Sequence, residues 1–169
     1  KPDMMPGMCK QLLQALSHVH ERNIVHRDIN PANILVDDLG EHGMLSAVGD
    51  KRVPKVVLAD FGGACQLLVG ASNPQSFKAL AGGREVTTYQ YRAPGMFVKQ
   101  HVRSCSYATD VWAMGVTVVE MDLGSLPFGD ESMTRGNMEE VFVHILQVLF
   151  RTKGDVFNEN VRKDPTAFN

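Results

Sequence analysis

The sequence has few cysteines, no long hydrophobic run and no signal peptide. Its three cysteines, Cys9, Cys65 and Cys105, lie far apart and form no C-x-x-C pair, which argues against a disulfide framework and for a reducing, intracellular compartment, cytoplasmic or nuclear. The longest apolar-rich stretch, residues 111–121, falls short of the roughly 18 residues that a membrane span requires. The start, Lys1 to Met4, lacks a basic cap followed by an apolar core, which predicts no secretion. We therefore expect no membrane partner.

An excess of either charge is also missing. The 17 Lys and Arg residues against 19 Asp and Glu residues leave a net charge of −2, whereas a nucleic-acid binder usually carries a basic excess. The charge therefore predicts no nucleic-acid partner. With 44% hydrophobic and 21% charged residues over 169 positions, the chain has the composition and length of a folded domain.

Apolar spacing predicts three helices. The first has Leu12, Leu16 and Val19 at helical spacing, with Pro6 suited to its first turn and Asn23 to its end. The second, at about residues 110–123, is apolar on nearly every side and closed by a glycine, which predicts an enclosed helix. Its β-branched run at 116–119 leaves a strand as the alternative. The third spans about residues 137–152.

Two short β-branched runs, at residues 34–36 and 55–58, predict small strands. The Gly- and Asp-rich segment between them predicts a long inserted loop. Residues 62–83 have little periodicity, which predicts an exposed, mobile loop.

Four polar motifs follow one another along the chain. They are His26-Arg27-Asp28 with Asn33, Asp60-Phe61-Gly62, Tyr91-Arg92-Ala93-Pro94, and the segment Asp110-Val111-Trp112-Ala113-Met114-Gly115. Asn33 directly precedes the first predicted strand and Asp60 follows the second, so a hairpin would bring Asp28, Asn33 and Asp60 to one edge. Carboxylate and amide oxygens are ligands that suit Mg²⁺ on phosphates.

This ordered set resembles the eukaryotic protein kinase family, of Ser/Thr type, and is similar to its cyclin-dependent and mitogen-activated (CMGC) group. The resemblance implies an α+β, mainly α fold: a kinase-like C-terminal lobe whose small β-hairpin carries the catalytic and metal-binding loops. No G-x-G-x-x-G or V-A-I-K motif occurs, so we expect the N-terminal lobe to be absent. Residues 1–169 would then form a partial kinase domain, with a catalytic loop at 26–33 and a metal-binding loop and activation segment at 60–95.

The resemblance assigns roles at the site, with ATP and Mg²⁺ as cofactors. Asp28 is implied as catalytic base, Asn33 as a ligand of magnesium and nucleotide, and Asp60 as the main metal ligand bridging the phosphates. Thr88 matches the threonine that touches the catalytic loop in Ser/Thr kinases. Arg92 belongs to a substrate loop that favours proline after the target residue. Each motif taken alone also fits an ordinary turn or a loop residue that bonds the backbone.

Structural roles are implied for four further residues. His26 and Phe61 resemble two positions that stack in the hydrophobic spine of the family. Asp110 resembles the aspartate that anchors the catalytic loop, although it also fits a plain helix cap. Arg27 is implied to pair with a phosphate on the activation loop, or it is a solvated surface arginine. A metal site at His18, His20 and His26 is disfavoured, because residues two apart on a helix face different ways.

Three departures from the family pattern bear on activity. Asn30 stands where the family has a lysine that would touch the transferred phosphate, which predicts a slow enzyme. Gly95 replaces the last residue of A-P-E, and Gly83 the phosphorylated threonine of cyclin-dependent kinases. Ser72, Ser76 and Thr87 remain as candidates for modification.

These observations predict a protein Ser/Thr kinase that acts on protein substrates, with a regulatory protein subunit as a further partner. Asn30 and Gly95 favour a second hypothesis, a pseudokinase that binds proteins without chemistry. A third is a truncated kinase with little activity of its own, in which apolar faces of the first helix and of residues 110–123 would be uncovered.

Overall fold

The computed structural model describes residues 4–37, 46–48, 51–68, 77–79, 88–97, 106–128, 142–143 and 145–147. These residues include two long helices and seven short strands. The elements are α1 (Met5–His20), β1 (Ile24–Val25), β2 (Ile34–Val36), β3 (Ser46–Val48), β4 (Lys51–Val53), β5 (Val56–Leu58), β6 (Cys65–Leu67), β7 (Phe77–Ala79) and α2 (Tyr107–Leu123). Residues 142–143 and 145–147 are also helical, and the rest of the helix predicted at 137–152 lies outside the described residues.

Helix α1 has the extent that its apolar spacing indicates. Leu12, Leu16 and Val19 are buried on one face, and a proline lies in the first turn. The chain leaves the helix at Asn23, which has a φ of 58°, a left-handed conformation that asparagine tolerates better than most residues. The turn at residues 21–23 connects α1 to β1, and the segment from His26 to Asn33 follows β1.

Strands β2 and β5 form the predicted hairpin. They pair antiparallel, with Ile34 opposite Leu58 and Leu35 opposite Val57. Gln11 of α1 holds the hairpin, since its Nε2 donates to the carbonyl of Pro54 at 2.9 Å and its Oε1 accepts the amide of Val56 at 3.2 Å. The long segment inserted between the two strands contains a further antiparallel pair, β3 with β4, which the sequence patterns did not indicate.

The expected exposed loop at 62–83 also contains strands. β6 pairs antiparallel with both β1 and β7, and Cys65 in β6 is fully buried. Strands of three residues show no recognisable period, so pairing with a distant segment decides their structure. Cys65 is disulfide-bonded, although the spacing and odd number of the cysteines argue against a disulfide framework. Spacing along the chain does not reveal which cysteines meet in space.

Helix α2 begins three residues before the predicted start. Ser106 caps it by accepting the amide of Ala108, and Gly124 ends it with a φ of 73°. The strand alternative at 116–119 is wrong, since capping and tertiary burial outweigh the weak helix preference of β-branched residues.

The prediction that α2 is enclosed on nearly every side was wrong for one row of residues along the helix, which is exposed to solvent. Val111, Val119 and Leu123 are 59%, 40% and 65% exposed, and Gly115 between them is exposed as well. Leu13 on α1 is also exposed.

One hydrophobic cluster joins the two helices to the hairpin. Its buried members are Leu12, Leu16, Ile29, Ile34, Val56, Leu58, Tyr91, Ala113, Met114 and Val116. The segment from His26 to Asn33 lies between β1 and β2, and Ile29 within it belongs to this cluster. The polar residues of the segment are therefore anchored to the hydrophobic core. Neither α1 nor α2 has the length and apolar character of a membrane-crossing helix, and no other helix in the described ranges does.

Candidate active site

The backbone of the His26–Asp28 segment is held by Asp110 at the start of α2. The Asp110 carboxylate is 1% exposed; its Oδ2 accepts the amide of His26 and its Oδ1 the amide of Arg27, both at 2.8 Å. Arg27 has a φ of 73°, a conformation that a non-glycine residue adopts only where its surroundings require it. The helix cap itself is Ser106, so Asp110 is bonded to the loop rather than serving as the N-cap.

His20 is a third partner of the same carboxylate. Its Nε2 lies 2.9 Å from Asp110 Oδ2, and its ring packs on Tyr107 with centroids 4.6 Å apart. The sequence patterns pointed to His20 only as a doubtful metal ligand. Its place four residues after Leu16, on the buried face of α1, is the signal that could have identified it.

His26 connects the His26–Asn33 segment to the Asp60-Phe61-Gly62 segment. Its ring meets Phe61 edge-on at 4.6 Å between centroids. Nε2 lies 2.9 Å from the carbonyl of Ala59, and Nδ1 accepts the amide of Asp28 at 3.3 Å. A carbonyl only accepts hydrogen bonds, so the ring proton belongs on Nε2. The imidazole thus connects both loops and orients the backbone of Asp28.

The Asp28 carboxylate lies at the centre of the site. Oδ1 accepts the Thr88 hydroxyl at 2.9 Å, the Thr88 amide at 3.1 Å and Asn30 Nδ2 at 3.2 Å. Among the described residues, Oδ2 has a single, longer contact, with Asn33 Nδ2 at 3.3 Å. One oxygen is therefore fixed by three donors, whereas the other has room for a further donor.

Asn30 is turned inward and is 6% exposed. Its Nδ2 donates to the carbonyl and to Oδ1 of Asp28, both at 3.2 Å, and its Oδ1 accepts the amide of Ala32 at 3.0 Å. The side chain therefore caps the 3₁₀ turn Pro31–Asn33 and contacts Asp28. In this position both the Nδ2 and the Oδ1 of Asn30 form hydrogen bonds within the His26–Asn33 segment.

Asn33 and Asp60 lie on the paired ends of the hairpin. The amide of Ala59 donates to the Asn33 carbonyl at 2.8 Å, which continues the β2–β5 ladder to the residue before Asp60. Asn33 uses Nδ2 to bond the Asp28 carbonyl at 2.7 Å, and its Oδ1 makes no hydrogen bond with the described residues. Asp60 has a φ of 59° and is exposed; its Oδ1 accepts the amide of Gly62 at 3.0 Å. Oxygens of both side chains are thus available to a cation.

Arg27 is buried rather than a solvated surface arginine. Its Nη1 donates to the carbonyl of Gly63 at 3.2 Å, and its buried Nε has no hydrogen-bond partner among the described residues. Burial lowers the pKa of the guanidinium from its usual value; the Asp110 carboxylate opposes this shift and the charge of Arg92 adds to it. The like charges of Arg27 and Arg92 therefore repel each other.

The Thr88–Met96 segment packs against α2. Arg92 is 2% exposed and stacks over the Tyr89 ring at 4.1 Å from its centroid. The Tyr91 hydroxyl donates to Glu120 Oε2 at 2.6 Å, a contact between distant residues that the sequence patterns did not indicate. Gly95 is exposed, and a side chain there would meet no atom within 4 Å. Ser72, Ser76, Gly83 and Thr87 lie outside the described residues.

Comparison with known proteins identifies the class. The chain matches the protein kinase domain family over residues 1–166. It is 32% identical over 122 residues to the serine/threonine-protein kinase TOS3 of Saccharomyces cerevisiae, which covers 72% of this chain and 19% of that protein. It is 32% identical over 160 residues to a probable serine/threonine-protein kinase of Dictyostelium discoideum, covering 92% of this chain and 29% of that protein.

A third relative is cyclin-dependent kinase 14 of Callithrix jacchus, 31% identical over 144 residues, or 84% of this chain and 28% of that protein. The chain belongs to the eukaryotic protein kinase family, and these relatives support the Ser/Thr type. The family recognition made from the motifs is thus confirmed. The chain spans less than a third of the length of each of these relatives.

Proposed function

We propose that this protein is a Ser/Thr protein kinase that transfers the γ-phosphoryl group of ATP to hydroxyls of protein substrates, with Asp28 as catalytic base. The observation that carries this proposal is the asymmetric environment of the Asp28 carboxylate. Three donors from the part of the chain that the structure describes fix Oδ1, while Oδ2 has one contact there, at 3.3 Å. A base has to be held in place yet keep one lone pair for the proton it receives.

In the proposed reaction the substrate hydroxyl oxygen forms a bond to the γ-phosphorus while the bond from that phosphorus to the ADP oxygen breaks. The hydroxyl proton passes to Asp28 Oδ2. Thr88 and Asn30 keep the carboxylate in one orientation, and His26 and Asp110 fix the backbone that carries it. Such positioning is the main contribution a protein makes to phosphoryl transfer.

The donor set fits magnesium and the nucleotide. Asn33 Oδ1 and the Asp60 carboxylate are the oxygens that would hold Mg²⁺, which prefers hard oxygen ligands and completes its shell with phosphates and water. Bound magnesium neutralises charge on the phosphate oxygens. Beside these ligands, the paired side chains of Leu35 and Val57 are 57% and 43% exposed, so the hairpin offers an apolar surface to the nucleotide base.

The remaining assignments extend the same proposal. Arg27, whose buried guanidinium donates one hydrogen bond to the described residues, would pair with a phosphate on the activation segment. Thr88 and Arg92 belong to the substrate-binding loop, with a preference for proline after the target residue. We assign the described elements to the C-terminal lobe of the kinase fold, because the hairpin and both helices surround the catalytic loop.

The position of Asn30 favours a second candidate function, a pseudokinase that binds proteins. Both ends of its side chain are used within the loop, on Asp28 and Ala32. No donor from this position reaches a transferred phosphate, and removing one such donor costs about 2.7 to 4 kcal/mol in other enzymes. The same geometry in an active enzyme predicts slow turnover.

Phosphorylation of generic Ser/Thr protein substrates by the intact protein, with radiolabelled ATP and Mg²⁺, separates the two functions. Replacing Asp28 by Asn should lower turnover by roughly 100-fold or more, because general-base catalysis contributes about 10²- to 10⁴-fold. The matched control is Asp37→Asn, which makes the same change at an exposed aspartate directly after β2. This variant should leave turnover unchanged. Turnover that survives Asp28→Asn would refute the kinase assignment of this residue.

A further inference from the structure

Tyr107, in the first turn of α2, is a side chain to which the proposed reaction gives no role. Its half-buried ring packs on the His20 ring, with centroids 4.6 Å apart and planes inclined at 41°. Its hydroxyl donates to Asn23 Oδ1 at 3.0 Å. The side chain also packs against the buried residues Val25 and Cys65. A single residue of α2 thus contacts the end of α1, the turn that follows it and the β1–β6 pair.

His20 lies between Tyr107 and the buried carboxylate of Asp110. A carboxylate only accepts hydrogen bonds, so the proton of the contact between His20 and Asp110 belongs on Nε2 of the imidazole. Oδ2 of Asp110 accepts this bond at 2.9 Å and the amide of His26 at 2.8 Å. The imidazole therefore helps to fix the oxygen that holds the backbone two residues before the candidate base.

The orientation of the His20 ring depends on its neighbours. Its side chain is 17% exposed, so the hydrophobic core does not enclose it on every side. Tyr107 covers part of the ring, and tilted aromatic pairs at this separation attract each other beyond the area that they bury. Tyr107 is itself held by Asn23, whose carbonyl accepts the amide of Leu67 at 2.7 Å. The tyrosine is therefore a fixed support for the imidazole.

We propose that Tyr107 is a positioning residue for the candidate base. By packing on His20 it keeps the imidazole in the orientation that bonds Asp110, and it thereby fixes the backbone that carries Asp28. The ring contact supplies this effect, and the hydroxyl bond to Asn23 orients the ring. The effect on turnover rests on the proposed kinase function, whereas the effect on the backbone does not.

The test compares Tyr107→Leu with Tyr107→Phe in the intact protein. Leucine keeps an apolar side chain against the buried neighbours in β1 and β6 but removes the aromatic contact with His20, whereas phenylalanine loses only the hydroxyl. In Tyr107→Leu we expect the amides of His26 and Arg27 to exchange with solvent roughly 2- to 10-fold faster, the range that an aromatic pair contributes. Tyr107→Phe should show a smaller change. Hydrogen–deuterium exchange mass spectrometry measures both, with the amides of β5 as an unchanged internal reference.

A double variant shows whether Tyr107 acts through His20. In the His20→Ala protein the ring contact is already absent, so adding Tyr107→Leu should not change the exchange of the two amides further. Phe128→Leu is the matched control, because Phe128 is another half-buried aromatic residue and its ring stacks on Trp112 instead. It should leave the exchange of the two amides as in the unchanged protein.

Three exchange results would overturn the inference. The first is equal exchange of the two amides in Tyr107→Leu and in the unchanged protein. The second is an equal increase in Phe128→Leu, or one that Tyr107→Leu still produces in the His20→Ala protein. The third is faster exchange that extends equally to β5, since that would be a general loss of stability.

Turnover gives the second readout and separates this inference from the proposed function. In Tyr107→Leu the kcat for peptide phosphorylation should fall by the same factor as the exchange rises, with the KM values for ATP and peptide unchanged, and Tyr107→Phe should retain most of the kcat. Faster local exchange in a protein that phosphorylates no substrate would support the role of Tyr107 in holding the backbone and refute the kinase proposal. An unchanged kcat in a protein that does phosphorylate the peptide would refute the inference and leave the kinase proposal intact.

Discussion

The hydroxyl and the amide of Thr88 both donate to Oδ1 of Asp28, at 2.9 and 3.1 Å, although the two residues lie 60 positions apart. The contact joins the segment before Arg92 to the proposed catalytic loop. It leaves the second carboxylate oxygen to other donors. The orientation of the candidate base thus depends on the position of a segment far along the chain.

This contact predicts that Thr88→Ala lowers kcat for peptide phosphorylation roughly tenfold, because a hydrogen bond to a charged group contributes about 1.5 to 3 kcal/mol and exposure places this one at the lower end. The KM for ATP should not change. Thr88→Ser keeps the hydroxyl and should restore most of the activity in the same steady-state assay. If serine and alanine at this position gave equal kcat values, the hydroxyl would have no part in orienting Asp28.

The proposed metal ligands lead to a prediction about binding rather than turnover. Asp60→Asn should weaken Mg²⁺-dependent ATP binding at least about tenfold, since even the outer partners of metal ligands contribute roughly 10- to 100-fold in affinity. Isothermal titration with and without Mg²⁺ measures this effect. Asp37→Asn serves as the control and should behave like the unchanged protein. A magnesium effect that is the same in both variants would exclude Asp60 as a ligand.

Asp110 lies where its loss should destabilise the fold. Asp110→Ala leaves the buried amides of His26 and Arg27 without acceptors, at about 1 to 3 kcal/mol each, so the free energy of unfolding should fall by about 2 to 6 kcal/mol. Ser106→Ala removes the actual cap of α2 and should cost only about 1 kcal/mol. Urea unfolding measures the free energy of unfolding of both variants. Equal losses of free energy would mean that Asp110 stabilises the fold no more than the helix cap at Ser106 does.

Some of these relationships follow from sequence and others do not. The spacing of Leu12, Leu16 and Val19 predicts α1 because it repeats a single local period. The hairpin position of Asn33 and Asp60 follows from the two β-branched runs, because Asn33 directly precedes the first run and Asp60 follows the second. Local patterns of this kind are sufficient wherever neighbouring residues decide the structure.

Contacts between distant segments were beyond such patterns. β6 has three residues and exists because it pairs with β1 and β7. His20 and Asp110 lie 90 positions apart, and Tyr91 and Glu120 lie 29 apart. Each pair depends on how α1, α2 and the Thr88–Met96 segment pack against one another. The identity of a single residue in the sequence therefore does not predict its partner. The motifs of the family were recognisable in sequence, whereas the residues that contact and support them were visible only in the structure.

Two glycines in helices provide a final, internally controlled prediction. Gly115 is exposed in the middle of α2, and a Cβ there would meet no atom within 4 Å. Alanine in a helix interior is more stable than glycine by about 0.5 to 1 kcal/mol, so Gly115→Ala should raise the free energy of unfolding by that amount. Gly7 in α1 differs, because a Cβ there would lie 2.6 Å from Cγ2 of Val53.

Gly7→Ala should therefore lower the free energy of unfolding by about 1 to 3 kcal/mol, the usual cost of overpacking, despite the better helix preference of alanine. The Val53→Ala substitution removes the atoms that clash, so the double variant should be more stable than the sum of the two single changes predicts. Denaturant unfolding of the three variants and of Gly115→Ala measures all four values. Additive effects of Gly7→Ala and Val53→Ala would show that α1 does not pack on Val53 through Gly7, whereas a favourable coupling places that contact between the helix and the end of β4.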